Sequence, residues 1–284
     1  MQIAIAGHTG FVGTILKNYL SEVGFDLVLI NRKDFSNKID LQNKLKNSDV
    51  IINLCGAPII KSWSKDYKNY LIESRVLPTK DILEVLKTSD REVHLINASA
   101  IGIYNSDGEH SEESSNYSTD FTGTIVKEWE RSALDNFNEN VHVSILRLGL
   151  VIDKSGGYLK NILPSFLFKI GIYFKNGSNS LSFLDSVDLC NLVDFVIANK
   201  VYGVVNCVAP KCSTNYEFAQ VLMKITKCWF LFALPDIFLK LIFGESFYTL
   251  KQTPKVFPKR LIDLGFEFKY SCIEDSLKSK LLKN

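Results

Sequence analysis

The chain is poor in the features that mark metalloproteins, disulfide-stapled domains and nucleic-acid binders. It has only four histidines (His8, His94, His110 and His142), and none pair at metal-ligand spacing. Its six cysteines, at positions 55, 190, 207, 212, 228 and 272, form no C-x-x-C and read as reduced, buried thiols. A formal net charge of +2 without a long basic run gives nucleic acid no footprint. No charged region precedes an apolar stretch at the N-terminus, so no signal peptide is expected. The most apolar later run, from Cys228 to Phe243, is interrupted by Pro235-Asp236 and Lys240 and is too short to span a bilayer. These absences point to a cytoplasmic, enzyme-like protein without membrane or nucleic-acid partners. At 284 residues, 46% hydrophobic and 23% charged, the chain is an ordinary globular sequence with room for one large core or two modest ones.

What is present is concentrated at the start. An apolar strand runs directly into Gly7-His8-Thr9-Gly10-Phe11-Val12-Gly13. An amphipathic helix follows, with Val12, Ile15, Leu16, Tyr19, Leu20 and Val23 on one face. Strand, glycine-rich turn and helix in this order form a pyrophosphate-binding device. Glycines let the backbone approach the anion, and the helix N-terminus supplies free N–H groups.

The chain then alternates strand and helix. Strands are expected at Asp26–Ile30, Val50–Cys55, Val93–Ser99 and Val141–Ile152, with Ile39-Asp40-Leu41 as a third, short strand or its exit. Helices are expected over Trp63–Leu86, kinked or broken at Pro78, and over Phe121–Phe137. This alternation predicts an α/β, Rossmann-like, doubly wound parallel sheet in the order 3-2-1-4-5-6. After Gly156-Gly157 the pattern loosens. Helices are expected over Leu159–Ile170, Val187–Ala198 and from an Asn215 cap to Lys227, and short strands over Leu181–Leu184 and Val204–Val208. A cofactor domain over 1–155, with later strands returning to it, and a smaller substrate-capping lobe over 156–284 are expected.

At the end of the second strand, dinucleotide sites that accept a ribose 2′-OH carry an acidic residue. This chain offers Asn31, Arg32 and Lys33 instead, a cationic edge suited to a 2′-phosphate and hence to NADP(H).

Ordered motifs run the length of the chain: GHTGFVG, INLCGAPI, SRVLPTK, NASAIGIYN, KEWERSA, LRLGLVI followed by GG, NCVAP and PKRLIDLGFEF. Together they resemble the short-chain dehydrogenase/reductase superfamily, and within it the atypical extended branch of epimerase family proteins. The tail from about Phe232 to Leu282 resembles that branch's C-terminal domain of unknown function. The resemblance implies that Gly7, Thr9, Gly10, Phe11, Val12 and Gly13 line the pyrophosphate, and that Asn31 and Arg32 hold the 2′-phosphate. It implies that Asp40 and Leu41 border the adenine. Leu54, Cys55 and Gly56 would pass under the adenosine-side ribose, and Val151 would approach the nicotinamide. Arg75 matches a position near the cofactor; a helix-surface ion pair with Glu73 or Asp81 is the alternative. Pro78 departs from the family, and so does the absence of a tryptophan near Phe183-Leu184.

The superfamily uses a tyrosine with a lysine four residues later. None of the eleven tyrosines here has that partner, and Phe121 to Lys127 occupies the place. Ser99 and Tyr104 remain as catalytic candidates, with a turn hydroxyl and a packed aromatic as their plainer readings. Glu112 and Glu113 read as solvated loop charges. Arg147 ends a buried strand and needs a partner, and Trp129 and Glu130 read as core. The expected activity is NADP(H)-dependent reduction or epimerisation of a small carbonyl or sugar-derived substrate. The missing tyrosine–lysine pair also motivates an NADP(H)-binding sensor without chemistry. A homodimer stays open.

Overall fold

Apolar runs and amphipathic runs take turns along the chain. The computed structural model describes residues 1–135, 138–174, 179–235, 237 and 253–282. Strand β1 (Gln2–Ala6) leads through the glycine turn to α1 (Phe11–Glu22), which turns Leu16 and Leu20 inward. Then come β2 (Asp26–Ile30), α2 (Lys38–Leu45), β3 (Val50–Asn53), α3 (Lys65–Leu86) and β4 (Val93–Ala100). The short β5 (Glu109–His110), α4 (Phe121–Leu134), β6 (Val141–Leu148) and β7 (Leu150–Ile152) follow. Beyond them lie α5 (Gly157–Leu167), β8 (Ile170–Phe174), β9 (Ser180–Leu181), β10 (Phe183–Asp185), α6 (Ser186–Ala198) and β11 (Gly203–Cys207). The described chain ends with β12 (Ser213–Thr214), α7 (Asn215–Thr226), β13 (Phe230–Leu234), β14 (Lys255–Val256), α8 (Lys259–Asp263) and α9 (Ile273–Leu281).

Six strands form one parallel sheet in the order β11-β6-β4-β3-β1-β2. Its alternation is visible in β1. Ile3 and Ile5 pack with α1 and α6, whereas Ala4 and Ala6 pack with α2 and α3. Helices therefore cover both faces, which is why Ile3–Ala6 of β1 and Val50–Ile52 of β3 read as unbroken apolar runs. The chain moves from β1 outward to β2 and then crosses back to β3 on the other side. The crevice beyond the carboxyl ends of β1 and β3 is the place where such sheets bind ligands.

Several expectations change. Residues 39–41 form no strand; they belong to α2, where the Asn37 side chain accepts the Ile39 N–H at 3.0 Å and Leu41 and Leu45 enter the core. The sheet consequently ends at β2 and lacks the outer strand of the 3-2-1-4-5-6 order. Helix α3 continues through Pro78. Thr79 Oγ1 donates to the Arg75 carbonyl at 2.7 Å and Arg75 Nη1 to the Leu71 carbonyl at 2.8 Å, which holds this stretch together. The expected strand Val141–Ile152 divides at Gly149, where a Cβ would lie 2.6 Å from the Ser182 carbonyl oxygen. That close approach moves the chain from the central sheet to a β7–β10 pair.

Helix α5 stops at Leu167, and Lys169 at φ 69° turns the chain into β8. β8 pairs in parallel with β13, in a tail where only helices and turns were expected. Thr214, rather than Asn215, caps α7, in a reciprocal box with Glu217. Helix α4 ends at Leu134, and Phe137, Asp236 and Lys240 lie outside the described residues. No described helix is long and apolar enough to cross a membrane, and all six cysteines are free thiols. Asp188 accepts the Lys269 and Tyr270 N–H groups at 2.8 and 2.9 Å, tying the tail to α6.

His94 is a buried titratable group on β4. Ser144 Oγ gives its proton to the Val201 carbonyl at 2.6 Å, so His94 Nε2, also 2.6 Å away, must be the donor to that oxygen. Burial, aided by His142 and Lys200, pushes the His94 pKa down from 6.5 to about 4. The unfolded chain then takes up a proton that the fold refuses. Stability is expected to fall by roughly 3 kcal/mol between about pH 6.5 and pH 4. Urea unfolding across that range checks this: the fall should shrink by most of that amount in His94→Gln.

Candidate functional site

The glycine turn is built by backbone contact. Gly7 sits at φ 78°, and a Cβ there would lie 2.6 Å from the Leu54 carbonyl oxygen. Gly10 N–H donates to the Gly7 carbonyl at 3.0 Å. A Cβ on Gly13 would lie 2.2 Å from that same oxygen. The first glycine thus lets the turn lie against the exit of β3, and the third lets α1 pack onto the turn. No side chain caps the N-terminus of α1, and its first turn holds no acidic residue. Its N–H groups are suited to receive an anion.

A cleft of about 590 Å³ opens above this turn. Gly7, Thr9 and Gly10 line one side, Asn31 and Arg32 the end of β2, and Leu54, Cys55 and Gly56 the end of β3. Arg32 is exposed, with Nη2 donating to the Tyr70 hydroxyl at 3.2 Å. Asn31 is held on both sides. Its N–H donates to Asp34 at 2.6 Å, and its Oδ1 lies 3.3 Å from His8 Nε2. Burial works against the Asp34 carboxylate, but Lys44 at 2.7 Å and the Asn31 N–H more than offset it and hold the carboxyl below its ordinary range. Cys55 is no nucleophile here, since burial pushes its thiol up to about 12 against the pull of Arg32.

Arg75 lies beneath the cleft. It donates to the Leu71 and Ala57 carbonyls, and a Cβ on Gly56 would meet its guanidinium at 3.1 Å. The guanidinium also covers the Trp129 ring at 5.2 Å. Arg75 therefore supports the Gly56 strand exit instead of pairing on the helix surface. Asp40 and Leu41 are not in the cleft. Because residues 38–45 are helical, Leu41 is buried under the sheet and Asp40 faces solvent, and Phe35 and Ser36 line the cleft instead.

The other side of the turn faces an apolar pocket of about 460 Å³. Phe11, Val12 and Val151 line it. The Phe11 ring lies flush on the Gly156-Gly157 backbone, where added Cβ atoms would come within 2.2 and 2.7 Å of it. Tyr158 also lines the pocket, and burial pushes its phenol up to about 12. Sequence reasoning missed Tyr158. The available signal was an aromatic residue directly after the double glycine.

Ser99 and Tyr104 hydroxyls are held in a buried network. Ser99 Oγ donates to Glu130 Oε1 at 2.5 Å. Arg147 grips the same carboxylate with two bonds of 2.8 and 2.7 Å, and its Nη1 donates to the Tyr104 hydroxyl at 2.7 Å. The Tyr104 hydroxyl lies 2.9 Å from both the Ser111 carbonyl and Asn206 Oδ1. Neither hydroxyl is placed as a free donor to a ligand: Ser99 donates to Glu130, and Tyr104, which accepts from Arg147, faces the Ser111 carbonyl and Asn206 Oδ1 with its proton. Glu112 is not a solvated charge. It accepts the Asn206 and Arg260 N–H groups at 2.9 and 3.3 Å. Glu113 remains exposed and pairs with Lys259 at 2.8 Å.

A family model, NAD dependent epimerase/dehydratase, matches residues 3–207. The chain belongs to this family. A second model, a domain of unknown function, matches residues 234–279. The chain is 31% identical to an epimerase family protein of Staphylococcus aureus, over 99% of both chains. It is 30% identical to the chloroplastic epimerase family protein SDR39U1 homolog of Arabidopsis thaliana, over 98% of this chain and 86% of that one. The crystal structure of human epimerase family protein SDR39U1 with NADPH superposes with a TM-score of 0.90 at 24% identity, covering both chains completely.

In this epimerase/dehydratase chain α4 contributes no phenol to the site. It contributes Glu130, and Lys127 Nζ donates to the Ser118 carbonyl at 2.7 Å. Burial opposes the charge of Arg147, but Glu130 more than offsets this and holds the guanidinium charged. Removing one partner strands a buried charge. Arg147→Met should cost about 3–5 kcal/mol, while Arg147→Met with Glu130→Leu should recover most of that loss. Denaturant titration of the two variants reads the difference directly.

Proposed function

We propose that the chain binds NADP(H) in the cleft and acts as an oxidoreductase or epimerase-like enzyme on a small carbonyl compound. The observation that carries this reading is Arg32 beside Asn31 at the rim of the cleft, where a carboxylate would favour a free ribose hydroxyl. The NADPH in the human structure supports it, and family membership supports an enzyme. In this reading Gly7, Thr9, Gly10, Phe11, Val12 and Gly13 line the pyrophosphate, which the free N–H groups at the start of α1 receive. Asn31 and Arg32 hold the 2′-phosphate, and Leu54, Cys55 and Gly56 form the floor, braced by Arg75. Val151 walls the nicotinamide side. Bound there, the cofactor supplies hydride chemistry, and the chain orients it and excludes water on the apolar side. Free thiols at all six cysteines suit a cytoplasmic location.

A second reading, an NADP(H)-binding sensor without chemistry, draws support from the Ser99 and Tyr104 hydroxyls, which the Glu130–Arg147 pair occupies. NADPH oxidation across a panel of aldehydes and ketones separates the two, since a sensor binds the cofactor and consumes none. For the cofactor itself, Arg32→Ala should weaken NADPH binding by about ten-fold or more, in line with loss of a charge-assisted phosphate contact. NADH affinity should change little. Parallel titrations of both cofactors measure this, and an equal loss for the two would count against the 2′-phosphate role of Arg32.

A further inference from the structure

We infer that the apolar pocket beside the glycine turn takes an uncharged, apolar carbonyl compound, with the Tyr158 hydroxyl donating to its oxygen. This rests on the proposed cofactor site, because Phe11 and Val12 are shared between the turn and the pocket wall.

The lining decides the ligand class. Among the described residues, no Asp, Glu, Lys, Arg or His lines the pocket, and its polar side chains are Tyr158, Tyr173 and Asn161. A sugar nucleotide brings a diphosphate and several hydroxyls. Each requires donors or cations when water is removed, and the diphosphate above all requires a paired positive charge. An aryl or alkyl ketone or aldehyde needs apolar surface and one donor. The pocket supplies both, in a space of about 460 Å³ that the nicotinamide beside Val151 would share.

The donor is set by a chain of three groups. The Phe174 N–H donates to Asn215 Oδ1 at 2.8 Å, which fixes the amide's orientation. Asn215 Nδ2 then faces Tyr158 and donates to its hydroxyl oxygen at 3.1 Å. The phenol accepts from Asn215, so its own proton is left for another acceptor. Among the described residues no acceptor takes it. Burial keeps the phenol protonated at neutral pH, so it offers a donor and not a base. Tyr158, a lining residue, thus keeps a proton to give where Ser99 and Tyr104 have none.

The test is calorimetric titration of the full chain saturated with NADP⁺, whose own binding is measured first. Failure of that first step counts against the cofactor reading, and only the later steps address the pocket. The probes are 2-acetylnaphthalene, its carbonyl-free counterpart 2-ethylnaphthalene, and UDP-glucose. The ketone should bind at least about ten-fold more tightly than UDP-glucose. It should also bind more tightly than the hydrocarbon, although water solvates its carbonyl better. Tyr158→Phe should weaken the ketone about five-fold, the size of one hydrogen bond, and leave the hydrocarbon unchanged. The hydrocarbon therefore reports whether the variant's pocket is intact. If that variant fails to fold, the ketone-to-hydrocarbon ratio in the unaltered chain still decides. Tighter binding of UDP-glucose, no saturable binding of either naphthalene to the NADP⁺-loaded chain, or a hydrocarbon preference in the unaltered chain would overturn the proposal.

Discussion

A buried carboxylate and a buried guanidinium, Glu130 and Arg147, constrain the upper half of the fold. The side chains are 7% and 3% exposed, so neither charge can rely on water. The bidentate contact satisfies most of the pair, and Ser99 and Tyr104 complete it. From Tyr104 the bonds continue to Ser111 and Asn206, and from Asn206 through Glu112 to the backbone of Arg260. One ion pair thereby connects β4, α4 and β6 to the loop after β4, to β11 and to the tail. Ser99 gives its proton to the Glu130 carboxylate, and the Tyr104 proton is taken by the Ser111 carbonyl or Asn206, so neither hydroxyl is free to donate to a ligand.

The cofactor side depends on a different constraint, the closeness of backbones. At Gly7, Gly13 and Gly156 a single added carbon would come within 2.6 Å or less of a neighbouring atom. These contacts set the depth of the glycine turn against β3 and the seat of the Phe11 ring. The turn and ring then separate the polar cleft from the apolar pocket. Gly7 to Gly10 line the cleft and the next two residues, Phe11 and Val12, line the pocket, so a ligand in the pocket would sit next to whatever the turn holds.

Much of the fold was legible because it is written in periodicity. β1 and β3 are apolar on both faces over Ile3–Ala6 and Val50–Ile52, and the amphipathic runs that follow the strands have no other way to bury their stripe. The family was legible because many motifs keep one order, and the glycine turn because its residues act through the backbone, locally. What escaped were features settled by distant partners. Ile39-Asp40-Leu41 has strand composition, but Asn37 caps it into a helix, and Asp40 and Leu41 leave the cleft with it. β13 is a strand because β8 lies beside it, and nothing within residues 230–234 announces that pairing. Ser99 and Tyr104 looked available because Glu130 and Arg147 stand far along the chain. Tyr158 looked ordinary because its orientation comes from Asn215, fifty-seven residues later.

These placements divide the molecule's polarity in a way that bears on mechanism. One end is polar: Arg32 stands exposed at a cleft whose lining also holds Glu73 and Asp81, and the Asp34–Lys44 pair steadies the loop behind it. The other end is apolar, and its oriented phenol is one that burial keeps protonated. Between them, the position where the superfamily places its phenol on α4 holds Phe121 to Lys127, and further along the same helix Glu130 anchors the interior. A donor on α5 does not compete with that ion pair. Tyr158 can hold a ligand oxygen without giving up a bond of the buried network, whereas the Ser99 and Tyr104 protons are already engaged in it. Moving the donor from α4 to α5 reconciles an intact structural network with a site that still offers a proton.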